Sequence, residues 1–103
     1  MAEILVFINT LEPFVLLWDR IKLYTNKEGY KLEFTFVLSY MTSNTSQRFL
    51  EILNLLEDYQ SNKKGQVVVN WYYKEGDSDM LGVGKVFVEY AKKAKLKFNL
   101  ISH

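Results

Sequence analysis

The sequence has no cysteine, one proline and one histidine among 103 residues. Without cysteine, neither a disulfide framework nor a thiolate metal site is possible. The histidine is the last residue, His103, and chain ends are usually frayed, so a histidine-based catalytic dyad is nearly excluded. Gly82 and Gly84 lie inside a helical pattern, so they form no phosphate-binding loop between a strand and a helix. These absences predict a protein that is not an enzyme and carries no cofactor.

Charge and hydrophobicity argue against a nucleic-acid-binding, membrane or secreted protein. The chain has 13 basic and 12 acidic residues, which gives a net charge of +1 and no basic excess for nucleic acid or an anionic membrane. No apolar run approaches the roughly 20 residues that span a bilayer, and Met1–Phe7 lacks the features of a signal peptide. The 49% hydrophobic content suffices for one packed core. We therefore expect a single cytoplasmic domain over residues 1–103.

Hydrophobic periodicity predicts four strands that alternate with three helices. The predicted strands are Glu3–Asn9, Lys31–Ser39, Gln66–Tyr73 and Lys95–Ile101. The predicted helices cover about Leu11–Thr25, a segment that begins near Thr45, and about Met80–Lys93, with Ser78 or Asp79 as the cap of the last. The third strand is almost continuously apolar, which is typical of a strand covered on both faces. The order β-α-β-α-β-α-β predicts an α/β fold with a mixed or mostly parallel sheet covered by helices.

A cluster of hydroxyl side chains, Thr42–Ser46, lies where the second strand passes into the second helix. A phosphoryl group there would meet free backbone N–H groups and the positive end of the helix dipole. It would also change the charge of a surface loop by about two units. The alternative is that these residues only cap the helix.

The predicted loop before the third helix contains three acidic residues, Glu75, Asp77 and Asp79. Alternating acids can bind a hard cation, but the later bidentate glutamate of a calcium-binding loop is absent. A solvated acidic turn at a helix N-terminus accounts for the pattern equally well, so we predict no metal site. Because Trp71 and Tyr72 are close in sequence, the acids also suggest a docking patch for a protein partner.

One distinctive segment is Val69–Tyr73, with its Asn-Trp-Tyr-Tyr end, followed by the acidic loop and then Met80, Leu81, Gly84 and Phe87. This segment is the most specific part of a resemblance to the SiaC family of regulatory phosphoproteins. The segment Leu38–Met41, the hydroxyl cluster and Phe49–Leu53 are similar to the strand, switch and helix of the family. The likeness covers about Thr10 to the end. Relative to the family, the N-terminal strand region is shortened.

The resemblance implies a phosphorylation-controlled partner-switching protein of bacterial signalling. In that family a serine/threonine kinase of histidine-kinase-like fold adds the phosphoryl group and a PP2C-type phosphatase removes it. The unphosphorylated form binds and regulates an output protein such as a diguanylate cyclase. Counted from Tyr40, the phosphoacceptor falls on Ser43, with Thr42 and Thr45 as alternatives.

The predicted partner-binding residues are Tyr40, Met41, Asn44, Trp71, Tyr72, Glu75, Asp77 and Asp79. A second hypothesis is a constitutive interaction domain related to anti-sigma-factor antagonists, whose hydroxyl groups only cap a helix. The two differ in one property, because only the first requires a modified hydroxyl group.

Overall fold

A computed structural model describes residues 3–9, 14–38 and 43–103. The strands are β1 (Glu3–Asn9), β2 (Lys31–Val37), β3 (Gln66–Tyr73) and β4 (Lys97–Ser102). The helices are α1 (Phe14–Thr25), α2 (Ser43–Asn62) and α3 (Ser78–Lys93). The order confirms the predicted α/β fold. Within these described residues, no helix has the length and apolar character needed to cross a membrane.

All four strands are parallel and lie in the spatial order β1-β2-β3-β4. Parallel strands need crossover connections, and these are almost always right-handed. Since each crossover moves one position in the same direction across the sheet, α1, α2 and α3 lie on the same face. The molecule therefore has two layers, a helix layer and a sheet.

The core lies between these layers. β2 alternates strictly, with Leu32, Phe34 and Phe36 fully buried and the intervening residues half-exposed. From α2 the core receives the predicted apolar stripe, all of it buried: Phe49, Ile52, Leu53, Leu56 and Tyr59. The ring of Phe49 packs edge-on against Phe36, with ring centroids 4.9 Å apart. The apolar face of α2 thus packs against the apolar face of β2.

β3 is buried on both faces over its five residues 67–71, as its nearly continuous apolar sequence predicts, and the helices cover only one of these faces. The second face of β3 is buried by side chains of the neighbouring strands. Asn70, which is 7% exposed, donates through its amide to Glu33 (2.9 Å) and Thr35 (3.3 Å) and accepts from Asn99 (3.0 Å). We call the sheet surface that carries this polar ladder the open face.

The predicted start of β4 and the predicted cap of α3 differ from the structure. β4 begins at Lys97 instead of Lys95, because Lys95 has a left-handed backbone (φ 59°) that continues the turn after α3. The cap of α3 is Asp77, whose carboxylate accepts a hydrogen bond from the N–H of Met80, and neither Ser78 nor Asp79 has this role. Ser78 and Asp79 instead lie inside the first turn of the helix.

Candidate functional site

The two segments of functional interest lie at the same end of the sheet. β2 and β3 are adjacent and parallel, and Val37 is in register with Tyr72, so both strands finish at one level. α2 follows β2 and α3 follows β3. The N-termini of both helices therefore lie along this end of the sheet, which we call the carboxyl edge. Parallel α/β sheets generally bind their ligands at this edge.

Ser43 is the first residue of α2, so the helix begins two residues before the predicted start near Thr45. The first turn of α2 contains no acidic residue. The positive end of the helix dipole is therefore not neutralised by a carboxylate in the first turn. The structure describes Ser43 and Asn44 by their backbone, and Thr45 is half-buried. Tyr40, Met41 and Thr42 lie outside the described residues.

The N-terminus of α3 differs from that of α2. Asp77 accepts a hydrogen bond from the N–H of Met80 at 3.1 Å, and Asp79 lies in the first turn. Two carboxylates therefore already complement the positive end of this helix dipole. The N-terminus of α3 thus carries acids of its own, whereas the first turn of α2 has hydroxyl residues in its sequence and no acid.

The acidic loop is held in place by backbone hydrogen bonds to the end of β4. The N–H of Glu75 donates to the carbonyl of His103 (2.8 Å), and the N–H of His103 donates to Tyr73 (3.0 Å). The expectation that His103 is frayed is therefore wrong, because its backbone is paired on both sides. Gly76 takes a left-handed conformation (φ 89°), which only glycine adopts at little cost, and closes the turn. Glu75 and Asp79 are left exposed.

Trp71 is completely buried and belongs to the core, so its side chain is not available to a partner. Its indole N–H donates to the carbonyl of Met80 at 3.1 Å, which attaches the first turn of α3 to β3. Its ring also packs against Phe49 and Phe87, with centroids 5.4 and 5.5 Å away. Trp71 therefore positions the acidic loop, while Tyr72, the next residue, points to the open face and is half-exposed.

Gly84 allows α3 to approach the sheet closely. A Cβ atom at this position would lie 2.8 Å from the Trp71 ring and 2.7 Å from a methyl group of Leu100. A Cβ atom added to Gly82, half a turn earlier, would have no neighbouring atom within 4 Å. Trp71, Gly84 and Phe87, which all lie in the segment that carries the family resemblance, thus pack α3 against β3 and fix its position on the sheet.

The two glycines give a matched test of this packing. We expect Gly82→Ala to raise the free energy of unfolding by about 0.5–1 kcal/mol, because alanine is the better helix former. The same change at Gly84 is expected to lower it, since overpacking a rigid core costs about 1–3 kcal/mol. Urea unfolding measures both values. Equal stabilisation by the two substitutions would show that α3 does not pack closely on Trp71.

A shallow depression of about 150 Å³ lies beside the loop. It is lined by Tyr73, Gly76, Asp77, Ser78 and Leu81. Small-molecule sites usually enclose about 300–1,000 Å³, so this depression suits a single side chain of a protein partner better than a cofactor. Within the described ranges, no three His, Cys, Asp or Glu residues are grouped so that they could hold a metal ion.

Of the predicted site residues, Glu75 and Asp77 lie in the loop before α3 and Asp79 in the first turn of that helix. The start of α2 at Ser43 lies at the same edge of the sheet. Tyr72 reaches this edge from the open face. Sequence reasoning missed Asp77 as the helix cap and His103 as the partner of the loop. Asp is a favoured helix cap, so Asp77 just before the helical pattern was a usable signal, whereas the pairing of His103 has no local signal.

Comparison with known proteins identifies a family and a similar fold. The family model described as SiaC family regulatory phosphoprotein matches residues 8–103. A chain in the crystal structure of the diguanylate cyclase SiaD in complex with its activator SiaC, from Pseudomonas aeruginosa, has a similar fold with a TM-score of 0.73. The sequence identity is 17%, and the alignment covers 99% of this chain and 84% of the other. A search of curated proteins finds no match.

Proposed function

Because the chain belongs to the SiaC family of regulatory phosphoproteins, we propose that it is a phosphorylation-controlled partner-switching protein that acts by binding and not by catalysis. Its phosphoacceptor is Ser43, and its unphosphorylated form binds and activates an output protein, a diguanylate cyclase, in the cytoplasm. The structural neighbour comes from a complex of a diguanylate cyclase with its activator, and this supports the class of partner.

The observation that carries the proposal is the position of Ser43 as the first residue of α2, in a first turn without acidic residues. A phosphoserine carries a charge of about −1.5 to −2 and strong acceptor oxygens, and both are stabilised at a helix N-terminus. The helix can therefore carry either the free hydroxyl group or the phosphate ester. If Ser43 were in the middle of a helix, the dipole would give the ester little stabilisation, and at the C-terminal end the dipole would oppose it.

The proposed docking surface is the carboxyl edge around the acidic loop. Glu75 and Asp79 are exposed, Asp77 is half-exposed, and the depression beside Tyr73 offers space for one partner side chain. This arrangement suits a partner surface with basic residues around an apolar anchor. A phosphoryl group on Ser43 would add negative charge at the same edge. Partner contact and modification would thus compete for one surface.

The proposed enzymes of the switch are a serine/threonine kinase of histidine-kinase-like fold and a PP2C-type phosphatase. The kinase would need access to the first turn of α2. Since the acids of the loop lie at the neighbouring helix N-terminus, a kinase that reaches Ser43 would also meet the proposed docking surface. The kinase and the output partner are therefore expected to exclude each other.

The activity of the cyclase tests the proposal. We expect the unphosphorylated chain to increase the rate at which the purified cyclase consumes GTP. Changing both Glu75 and Asp79 to Lys is expected to weaken this activation at least about tenfold in half-maximal concentration, because complementary charges become like charges. Glu89→Lys on the later part of α3 is the control and is expected to leave activation unchanged. No increase by the unmodified chain would contradict the choice of partner.

A further inference from the structure

β1 is an edge strand without the features that normally protect such edges. Within the described part of the chain, the only neighbour of β1 is β2. Its residues Glu3–Asn9 contain no lysine or proline, and its register with β2 runs without a bulge from Glu3 opposite Lys31 to Asn9 opposite Val37. Proteins usually blunt exposed edges with lysine, proline or bulges, because a regular, apolar edge pairs with further strands.

The edge also exposes apolar surface. Leu5 lies on the open-face side of β1 and is 71% exposed, the highest value among the large hydrophobic residues of the described chain. Val6, its neighbour on the helix side, is buried at 2%. The family match begins at residue 8, so Leu5 and Val6 lie outside it. The match to the family therefore does not cover the part of β1 that carries Leu5.

We propose that two copies of this chain associate through antiparallel pairing of their β1 strands around a two-fold axis at Val6. This is the centring that pairs all seven residues of β1. In this register, Ile4 lies opposite Ile8 of the other copy, Leu5 opposite its Phe7, and Val6 opposite its Val6. A two-fold axis gives a closed dimer.

Charge also favours this arrangement. The only charged residue of β1 is Glu3, which pairs with Asn9 of the other copy in the antiparallel register and contacts Lys31 of its own chain (3.6 Å). Parallel pairing would instead place Glu3 beside Glu3. A two-fold axis perpendicular to the sheet keeps the helices of both copies on one side, so the two open faces become continuous across eight strands. The carboxyl edges of the two copies then point in opposite directions, which leaves both free for partners.

The mass in solution tests this proposal. We expect the purified chain to show the mass of a dimer by light scattering after size-exclusion chromatography at high protein concentration. Leu5→Lys is expected to give the monomer mass, because a lysine on an edge strand disfavours pairing with a second strand. Leu23→Lys on α1 is the matched control, since Leu23 is also exposed (61%), and it is expected to remain a dimer.

Circular dichroism would show that Leu5→Lys stays folded, as expected for a surface position. A monomeric wild-type chain at high concentration would overturn the proposal. A dimer that persists in Leu5→Lys, or that is lost in Leu23→Lys, would place the interface elsewhere and also overturn it.

Discussion

Trp71→Ala is expected to lower the free energy of unfolding by about 3–5 kcal/mol, the usual cost of removing a large buried aromatic side chain. Trp71 is fully buried and contacts both Phe49 and Phe87. The substitution also leaves the Met80 carbonyl without the indole N–H. Since domains of this size are stable by only about 5–15 kcal/mol, the variant should unfold at a much lower urea concentration.

Tyr72→Ala is the control for this prediction. Tyr72 is the next residue of β3, but it is half-exposed and lies on the open face. We expect a loss of stability of about 1 kcal/mol, near the average for single substitutions. Trp71→Phe keeps an aromatic ring in the core but removes the hydrogen bond to the Met80 carbonyl, and the loss of that bond should cost about 0.5–1.5 kcal/mol. Equal losses for Trp71→Ala and Tyr72→Ala would contradict the anchoring role of Trp71.

Ser43→Asp is expected to weaken binding to the output partner at least about tenfold, which corresponds to about 1.4 kcal/mol. The carboxylate adds negative charge at the carboxyl edge, where Glu75 and Asp79 already lie exposed. Ser43→Ala removes the hydroxyl group without adding charge and should bind as tightly as the wild type. Titration calorimetry with the purified partner measures both affinities.

Ser46→Asp is the control for position. It adds the same charge to α2, three residues further along the helix. We expect a smaller effect than at Ser43. If Ser43→Asp and Ser43→Ala bind with equal affinity, the second hypothesis gains support, namely a constitutive interaction domain in which the hydroxyl groups only cap α2.

The order of elements and most of the core follow from local patterns in the sequence. The apolar residues of α2, such as Phe49 and Tyr59, recur at helical spacing and are buried as predicted. The strict alternation of β2 likewise predicts which of its residues face the helices. These patterns are sufficient because each element has one apolar face that must be buried.

The features that the sequence did not reveal depend on neighbouring strands. The apolar run of β3 predicts cover on both faces but not what covers the second one, where Glu33, Thr35 and Asn99 of the neighbouring strands hydrogen-bond Asn70. Trp71 was predicted at a docking surface because it precedes the acidic loop. Its alternation with Val67 and Val69 places it on the core side of β3, and this period-two signal was the better guide.

The most direct test of the switch is the intact mass of the chain after incubation with its cognate kinase and ATP. Our account predicts that the wild-type chain gains the mass of one phosphoryl group, that Ser43→Ala gains none, and that the PP2C-type phosphatase reverses the gain. Full modification of Ser43→Ala, or no modification of the wild-type chain, would contradict the assignment of Ser43 at the start of α2 as the switch.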